Sequence, residues 1–168
     1  MTLAETIFPS SQAGRAFLVL LAAIVTLAIV WAFQGMGYAP CELCLTERYA
    51  FYAALPITAG TIFLARAGQH GWAKAGLGLL AAIFLANAAF AFYHVGVEQK
   101  WWEGPTACTG SLSGPVNVGD LMKALNTTPV VRCDEPALRV LGVSLAGWDI
   151  VASAALAVYS ALAVRLSR

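Results

Sequence analysis

The sequence predicts an all-α membrane protein, a bundle of four transmembrane helices with a long outer loop that carries a short interfacial helix. Hydrophobic residues make up 60% of the 168 residues and charged residues only 11%, whereas roughly a quarter of an ordinary soluble domain is charged. Four apolar stretches each approach the ~20 residues that a helix needs to cross a bilayer. Alanine and glycine are dense in the last two stretches, which lets lipid-embedded helices approach closely. We therefore treat residues 1–168 as a single integral membrane domain.

The four predicted spans cover about residues 16–33, 45–65, 75–97 and 145–164. The first is longer than the roughly 7–15 apolar residues of a signal-peptide core, and its only basic flank is Arg15. We therefore expect a retained span and not a cleaved signal peptide. The second contains Pro56, which we expect to kink the helix without preventing it from spanning the membrane.

The distribution of lysine and arginine predicts that both termini are cytoplasmic. Four spans place the termini and the short loop between the second and third spans on one side. The cations of that side all lie close to a span, where the positive-inside rule applies: Arg15, Arg66, Lys74, Arg165 and Arg168. The other side carries as many cations, but most belong to a long loop. The two outer loops, about residues 34–44 and 98–144, then face the outer compartment.

All four cysteines fall on the predicted outer side. Cys41 and Cys44 end the first outer loop, and Cys108 and Cys133 lie in the second. Disulfides form and persist in oxidising compartments outside the cytoplasm. This segregation of the thiols is the first indication of a redox function.

The long outer loop contains the sequence "NVGDLMKALNTT", which predicts a short helix. Val118, Leu121, Met122 and Leu125 fall on one helical face, and Asn117 is suited to cap its start. Two interpretations are equally compatible with this pattern. The helix either lies on the outer leaflet or packs on the bundle as an ordinary loop helix.

The segment "PCELCLTERYAFY" has the spacing of a reactive thiol site. Cys41 and Cys44 are close enough in sequence to form a small disulfide ring. A helix that starts at Cys41 or shortly after it places Cys44 near unpaired N–H groups, which favour a thiolate. Arg48 follows one turn later on the same face and carries a permanent charge. We therefore predict a reactive thiolate at Cys44, at the membrane surface, with a cation just beneath it.

Other interpretations of these residues were weighed. The cysteine pair can be a structural staple, and Arg48 can extend to the interface as an anchor. A zinc site needs a second close pair, but 24 residues (109–132) separate the other two cysteines, so no metal is predicted. The chain lacks a haem-attachment CxxCH and a dinucleotide-binding GxGxxG, and its net charge of +1 predicts no nucleic-acid partner. Electrons from these thiols must therefore pass to another protein or to a small diffusible acceptor, and a lipid-soluble two-electron acceptor suits the interface.

At these residues the sequence resembles the disulfide-bond formation protein B (DsbB) family. Three segments carry the resemblance, which covers most of the chain: "PCELCLTER", "YHVGVEQKWWEGPTAC" and "CDEPALRVLGVSLAGWD". It implies a multi-pass thiol:quinone oxidoreductase of the bacterial inner membrane, with its cysteines in the periplasm. Such an enzyme reoxidises a periplasmic thioredoxin-fold oxidase of the DsbA type and passes the electrons to ubiquinone or menaquinone.

The resemblance also implies a role for each cysteine. The Cys108–Cys133 disulfide accepts electrons from the partner, with Cys108 forming the mixed disulfide. Cys133 is then attacked by Cys41, which gives a transient link between the two outer loops. Cys44 is left as the thiolate that donates electrons to the quinone.

Arg48 and His94 are the two quinone-binding residues that the resemblance implies. Arg48 helps to hold the quinone and stabilises its charge, and His94 matches a family position near the quinone, at the outer end of the third span. Judged by residue type alone, a single interfacial histidine is more often structural.

Two alternative functions remain. The vitamin K epoxide reductase family has similar bundles and two cysteine pairs, but its CxxC opens a late span and its shuttle pair comes earlier, the reverse of the order in this chain. A non-catalytic membrane subunit held together by two disulfides is the other alternative. Thiol trapping in cells separates the latter from a relay, since only a relay becomes reduced when quinone runs out.

Overall fold

The computed structural model describes residues 9–105 and 131–167, and the fold in these ranges is mostly helical. Its elements in chain order are α1 (Gln12–Gly35), α2 (Glu42–Arg66), α3 (His70–Glu98), β1 (Arg139–Val140), β2 (Val143–Ser144) and α4 (Leu145–Leu166). The two strands form a small antiparallel hairpin directly before α4. The predicted helix around Leu121 lies outside the described residues.

Each of the four predicted spans falls within one of the four helices. Three of these helices, α1, α3 and α4, are long and apolar enough to cross a membrane. The helix α2 has 25 residues and carries Glu42, Glu47 and Arg48 in its first two turns. It continues through Pro56 as one helix. The chain is therefore a helical membrane protein, as the composition predicts.

Side-chain caps set the starts of three helices. Ser11 accepts the N–H of Gly14 at 3.1 Å before α1, and Ser144 accepts the N–H of Gly147 at 3.2 Å before α4. Such caps satisfy amide groups that have no partner within the helix. The cap of α2 is Cys41, so the first cysteine of the CxxC segment is itself part of the helix start.

Small residues and a few large apolar side chains fill the interior of the bundle. Phe84 on α3 is fully buried and meets the ring of Phe51 on α2 edge-on at 5.4 Å between centroids. Gly76 on α3 lies so close to Thr61 on α2 that a β-carbon at Gly76 would collide with the threonine hydroxyl. The predicted close approach of helices through small residues is present at this crossing.

Arg15 closes the end of the bundle that lies away from the cysteines. Its side chain is buried, and Nη1 donates to the carbonyl of Ala163 at 3.3 Å and to the hydroxyl of Ser167 at 3.2 Å. Its Nε donates to the carbonyl of Pro9 at 2.9 Å. Arg15 thus joins the start of α1 to the end of α4, a structural role that its place beside a span did not reveal.

Candidate active site

A cavity opens where α2 begins and α3 ends. Four of the six predicted site residues line it: Cys41, Cys44, Arg48 and His94. Apolar side chains of α1, among them Leu27, Val30 and Phe33, form part of its wall. The fold therefore gathers into one cavity side chains from α2 and α3 that are about 50 residues apart in the sequence.

The two cysteines of the CxxC segment are free thiols. Their Sγ atoms lie 3.1 Å apart, and Cys41 Sγ also accepts the N–H of Cys44 at 3.3 Å. Cys41 is thus held at the positive end of α2, where a thiolate is stabilised. The thiol of Cys44 lowers the pKa of Cys41 to about 4, against the effect of burial and with further help from His94.

This arrangement corrects the prediction that the thiolate of the reduced pair lies on Cys44. The sequence indicated a helix start near the cysteines, and that was right. However, the sulfur that receives the helix N–H belongs to the capping residue Cys41, one turn before the position we predicted. Because the two sulfurs are in contact, a thiolate on Cys41 also disfavours a second negative charge on Cys44.

His94 connects Cys41 to a buried carboxylate. Its Nε2 lies 3.6 Å from Cys41 Sγ, and its Nδ1 lies 2.7 Å from Oε1 of Glu47. Both His94 and Glu47 are buried. This order of carboxylate, imidazole and thiol is the general arrangement in which a base is oriented by one group and acts on a nucleophile. The sequence analysis did not single out Glu47, although its position three residues after Cys44 places it on the same helical face.

Arg48 is fixed by the end of α1. Its Nη1 donates to Oε1 of Gln34 at 2.7 Å, and its guanidinium carbon lies 5.8 Å from the ring centroid of Trp31. The side chain of Trp31 is held in turn by a hydrogen bond from its Nε1 to the hydroxyl of Tyr52 at 2.9 Å. Both contacts of Arg48 on α1 are neutral groups, so they orient the guanidinium without cancelling its charge.

Cys133 packs in the same cluster as Cys41. It is disulfide-bonded and almost fully buried, and it shares one apolar cluster with Cys41, Leu43 and Val97. The segment before the hairpin therefore brings its cysteine into the cluster that contains the first cysteine of the CxxC segment. Cys108 lies outside the described residues, so its predicted role stays a prediction.

A carboxylate of α4 also lines the cavity. Asp149 accepts a hydrogen bond from Nδ2 of Asn87 at 2.9 Å, and the hydroxyl of Ser153 donates to its second oxygen at 3.3 Å. The sequence analysis missed this group because Asn87 and Asp149 are 62 residues apart. An isolated aspartate at the start of a predicted span was the only signal available.

Comparison with known proteins decides the family. The model of the family described as disulfide bond formation protein DsbB matches residues 12–163. The chain belongs to the DsbB family. This DsbB-family protein is 32% identical to the disulfide bond formation protein B of Cupriavidus necator, over 82% of this chain and 84% of that protein.

Two further relatives have the same name. The protein of Aromatoleum aromaticum is 29% identical over 80% of this chain and 81% of its own length. That of Herminiimonas arsenicoxydans is 28% identical over 80% of this chain and 84% of its own length. No solved structure gives a significant match. The DsbB-family chain is therefore a membrane protein of disulfide bond formation, with the disulfide-forming oxidoreductase role that its family implies.

Proposed function

We propose that this DsbB-family protein is a thiol:quinone oxidoreductase that reoxidises a DsbA-like, thioredoxin-fold dithiol protein of the periplasm. The observation that carries the proposal is the position of Cys41. Its sulfur packs in one cluster with Cys133 and lies 3.1 Å from that of Cys44, in a cavity that also contains Arg48. A sulfur in this position is able to exchange with either neighbour.

The electrons follow a series of thiol–disulfide exchanges. A thiolate of the reduced partner attacks Cys108 in the Cys108–Cys133 disulfide, which gives a mixed disulfide and frees Cys133 as a thiolate. At that moment Cys41 and Cys44 form a disulfide, so Cys133 must attack Cys41 and release Cys44. This electron balance reverses the direction of attack that we took from the resemblance, although the transient Cys41–Cys133 link is the same.

The relay is completed when the partner's second thiol attacks the mixed disulfide. The oxidised partner leaves, and Cys108 becomes a thiolate. Cys108 then attacks Cys133 and restores the Cys108–Cys133 disulfide, with Cys41 as the leaving group. A thiol of low pKa leaves faster in such an exchange, so the lowered pKa of Cys41 favours this step.

The cavity also suits a quinone, which when bound accepts two electrons and two protons. Apolar residues of α1 offer a wall for a ring and its lipid tail, and Cys44 offers an electron-donating sulfur. Arg48 offers fixed N–H donors and a charge that persists as negative charge develops. His94 and Glu47 are placed to accept the proton of Cys41, so they support its action as a thiolate.

We further propose that α2 is the fourth span and that the cysteines face the periplasm of the bacterial inner membrane, with both termini cytoplasmic. The contact of the Cys41 sulfur with that of Cys44, together with its place in one cluster with Cys133, favours a relay over a subunit held together by two permanent disulfides. The position of the CxxC segment at the start of α2, ahead of Cys133 in the chain, disfavours the order found in vitamin K epoxide reductases.

The order of transfer is tested by a Cys133→Ala variant. With the resolving thiol removed, we expect a stable mixed disulfide between Cys108 and the reduced partner, visible on a non-reducing gel. A Cys108→Ala variant is the matched control and should give no such adduct. If the adduct forms instead through Cys41 or Cys44, or does not form at all, the proposed order is wrong.

A further inference from the structure

The carboxylate of Asp149 lies in the second turn of α4 and takes no part in the sulfur relay. Both of its oxygens are hydrogen-bonded, one to Asn87 of α3 and one to Ser153 of its own helix. Asn87 and Ser153 are buried and also bond to each other at 2.9 Å. Asp149 itself is only partly buried, because its side chain borders the cavity that contains Cys44 and His94.

A purely structural role does not require this carboxylate. Asn87 and Ser153 already bridge α3 and α4 without it, and polar contacts of this kind are common between membrane helices. An ionisable group among membrane-spanning helices is costly, and such groups typically mark a path for ions or protons. The position of Asp149 on the cavity wall therefore calls for a chemical role.

The proposed reaction leaves such a role open. Oxidation of the Cys41–Cys44 dithiol forms one S–S bond, delivers two electrons to the quinone and releases two protons. Those protons are needed at the two quinone oxygens, which lie at opposite ends of the ring. The His94–Glu47 pair serves the end near the cysteines, and Arg48 acts there as a hydrogen-bond donor.

We propose that Asp149 is the proton donor for the quinone oxygen that lies away from Cys44. This inference rests on the proposed function. Asn87 and Ser153 orient the carboxyl group, which gives its proton to the oxygen as the second electron arrives. Asp149 regains a proton from those released when the Cys41–Cys44 disulfide forms, so the dithiol and quinone are converted to disulfide and quinol without net proton change.

Several other charged groups border the same cavity and will shape the pH dependence of this step. They come from the start of α2, from α2 itself, from α3 and from the segment before the hairpin: Cys41, Glu47, Arg48, His94, Glu98, Arg132 and Glu135. The described part of α1 that lines the cavity contributes only neutral side chains. A test must therefore compare the pH profile of a variant with that of the native protein.

The test uses the purified full chain in detergent, with a reduced dithiol partner and a short-chain quinone. Asp149→Asn has nearly the same shape and retains hydrogen bonding but has no proton to give. We expect kcat for quinone reduction to fall at least about a hundredfold, the lower end of the usual contribution of general acid catalysis, with little change in KM for the quinone. We expect the rate of the native protein to decline with rising pH as the carboxyl group loses its proton, and this decline should be absent in the variant.

Two variants serve as controls. Ser153→Ala removes one of the hydrogen bonds that orient the Asp149 carboxyl group but leaves the proton donor, so its rate should fall much less than that of Asp149→Asn and should keep its pH dependence. Asp149→Glu retains a transferable proton and should recover part of the rate and its pH dependence. Disulfide exchange with the partner in the absence of quinone should be normal in all three variants.

Two results would overturn the inference. One is a native kcat in Asp149→Asn. The other is a loss of rate in all three variants, Asp149→Asn, Asp149→Glu and Ser153→Ala, that is proportional to their loss of thermal stability. That result would indicate a structural role for Asp149. A Cys44→Ser variant separates this failure from that of the proposed function. If the Cys44→Ser variant still reduces quinone, the proposed function is wrong. If the Cys44→Ser variant is inactive and the Asp149→Asn variant has a normal rate, only the role of Asp149 is rejected.

Discussion

The sulfur of Cys41 receives stabilisation from three directions. The thiol and the N–H of Cys44 approach it from the first turn of α2, and His94 approaches it from α3. These contacts outweigh burial and bring the pKa of Cys41 to about 4. Since the pKa of a free cysteine is about 8.5, Cys41 should be a thiolate throughout the neutral range.

The first prediction of this geometry concerns the pH dependence of alkylation. In a chain that retains only Cys41, serine at position 44 keeps a hydroxyl that donates to the Cys41 sulfur in place of the thiol. The alkylation rate should therefore rise with pH as the thiolate forms and should reach its plateau below pH 7. Adding His94→Ala removes one stabilising contact and should move the midpoint upward. The measurement is the alkylation rate between pH 4 and 9, and a midpoint near 8.5 in the single-cysteine chain would contradict the lowered pKa.

The role of Arg48 could not be decided from the sequence alone. From the sequence, a guanidinium near the lipid interface was either an anchor or a ligand-binding group. Its hydrogen bond to Gln34 and its place beside Trp31 hold it toward the cavity. A freely extending anchor does not need such fixed partners, so the geometry favours the binding role.

At the scale of the helices, the crossing of α2 and α3 depends on the absence of a side chain at Gly76. A β-carbon there would collide with Thr61, and over-packing of a close contact costs about 1–3 kcal/mol. Gly78, two residues later, offers a matched control because its β-carbon would meet only Val164 Cγ2 at 4.0 Å. That distance is an ordinary van der Waals contact.

We therefore predict opposite effects for the same substitution at these two positions. Gly78→Ala should be neutral or should stabilise the protein by up to ~1 kcal/mol, since alanine favours a helix over glycine. Gly76→Ala should lower the melting temperature in detergent, and Thr61→Ala in the same chain should restore much of the loss. Equal melting temperatures for the two alanine variants would mean that α2 and α3 do not approach each other as closely at Gly76 as the structure shows.

The helices themselves were largely predictable, whereas the site was predictable only in part. Long apolar runs identify helices because the length and composition of each run can be judged without knowing what it packs against. Every predicted span lies within a helix. Glu47 and Asp149 were missed because their importance comes from contacts with His94 and Asn87, which are 47 and 62 residues away. Such pairings arise from helix packing, which no local pattern in a single sequence records.

At the scale of the whole molecule, the two ends of the bundle have different chemistry. One end holds the thiols, His94 and the cavity. The other is closed by Arg15, which bonds to the last turn of α4, and it carries Arg66 and Lys74 on either side of the turn between α2 and α3. This separation fits a protein that exchanges electrons at one face of a membrane and is anchored by cations at the other.

The orientation and the fourth span can be tested together. Met36 caps the end of α1, before α2 begins, and Trp72 lies in the first turn of α3, after α2 has ended. Their exposed fractions are similar, 63% and 69%. In a chain without its native cysteines, an impermeant maleimide added to intact spheroplasts should label Met36→Cys at once. Trp72→Cys should react only after the inner membrane is broken, because four spans place it in the cytoplasm. Labelling of both positions from the outside would show that α2 does not cross the membrane, and the reverse pattern would show that the positive-inside argument assigned the wrong side.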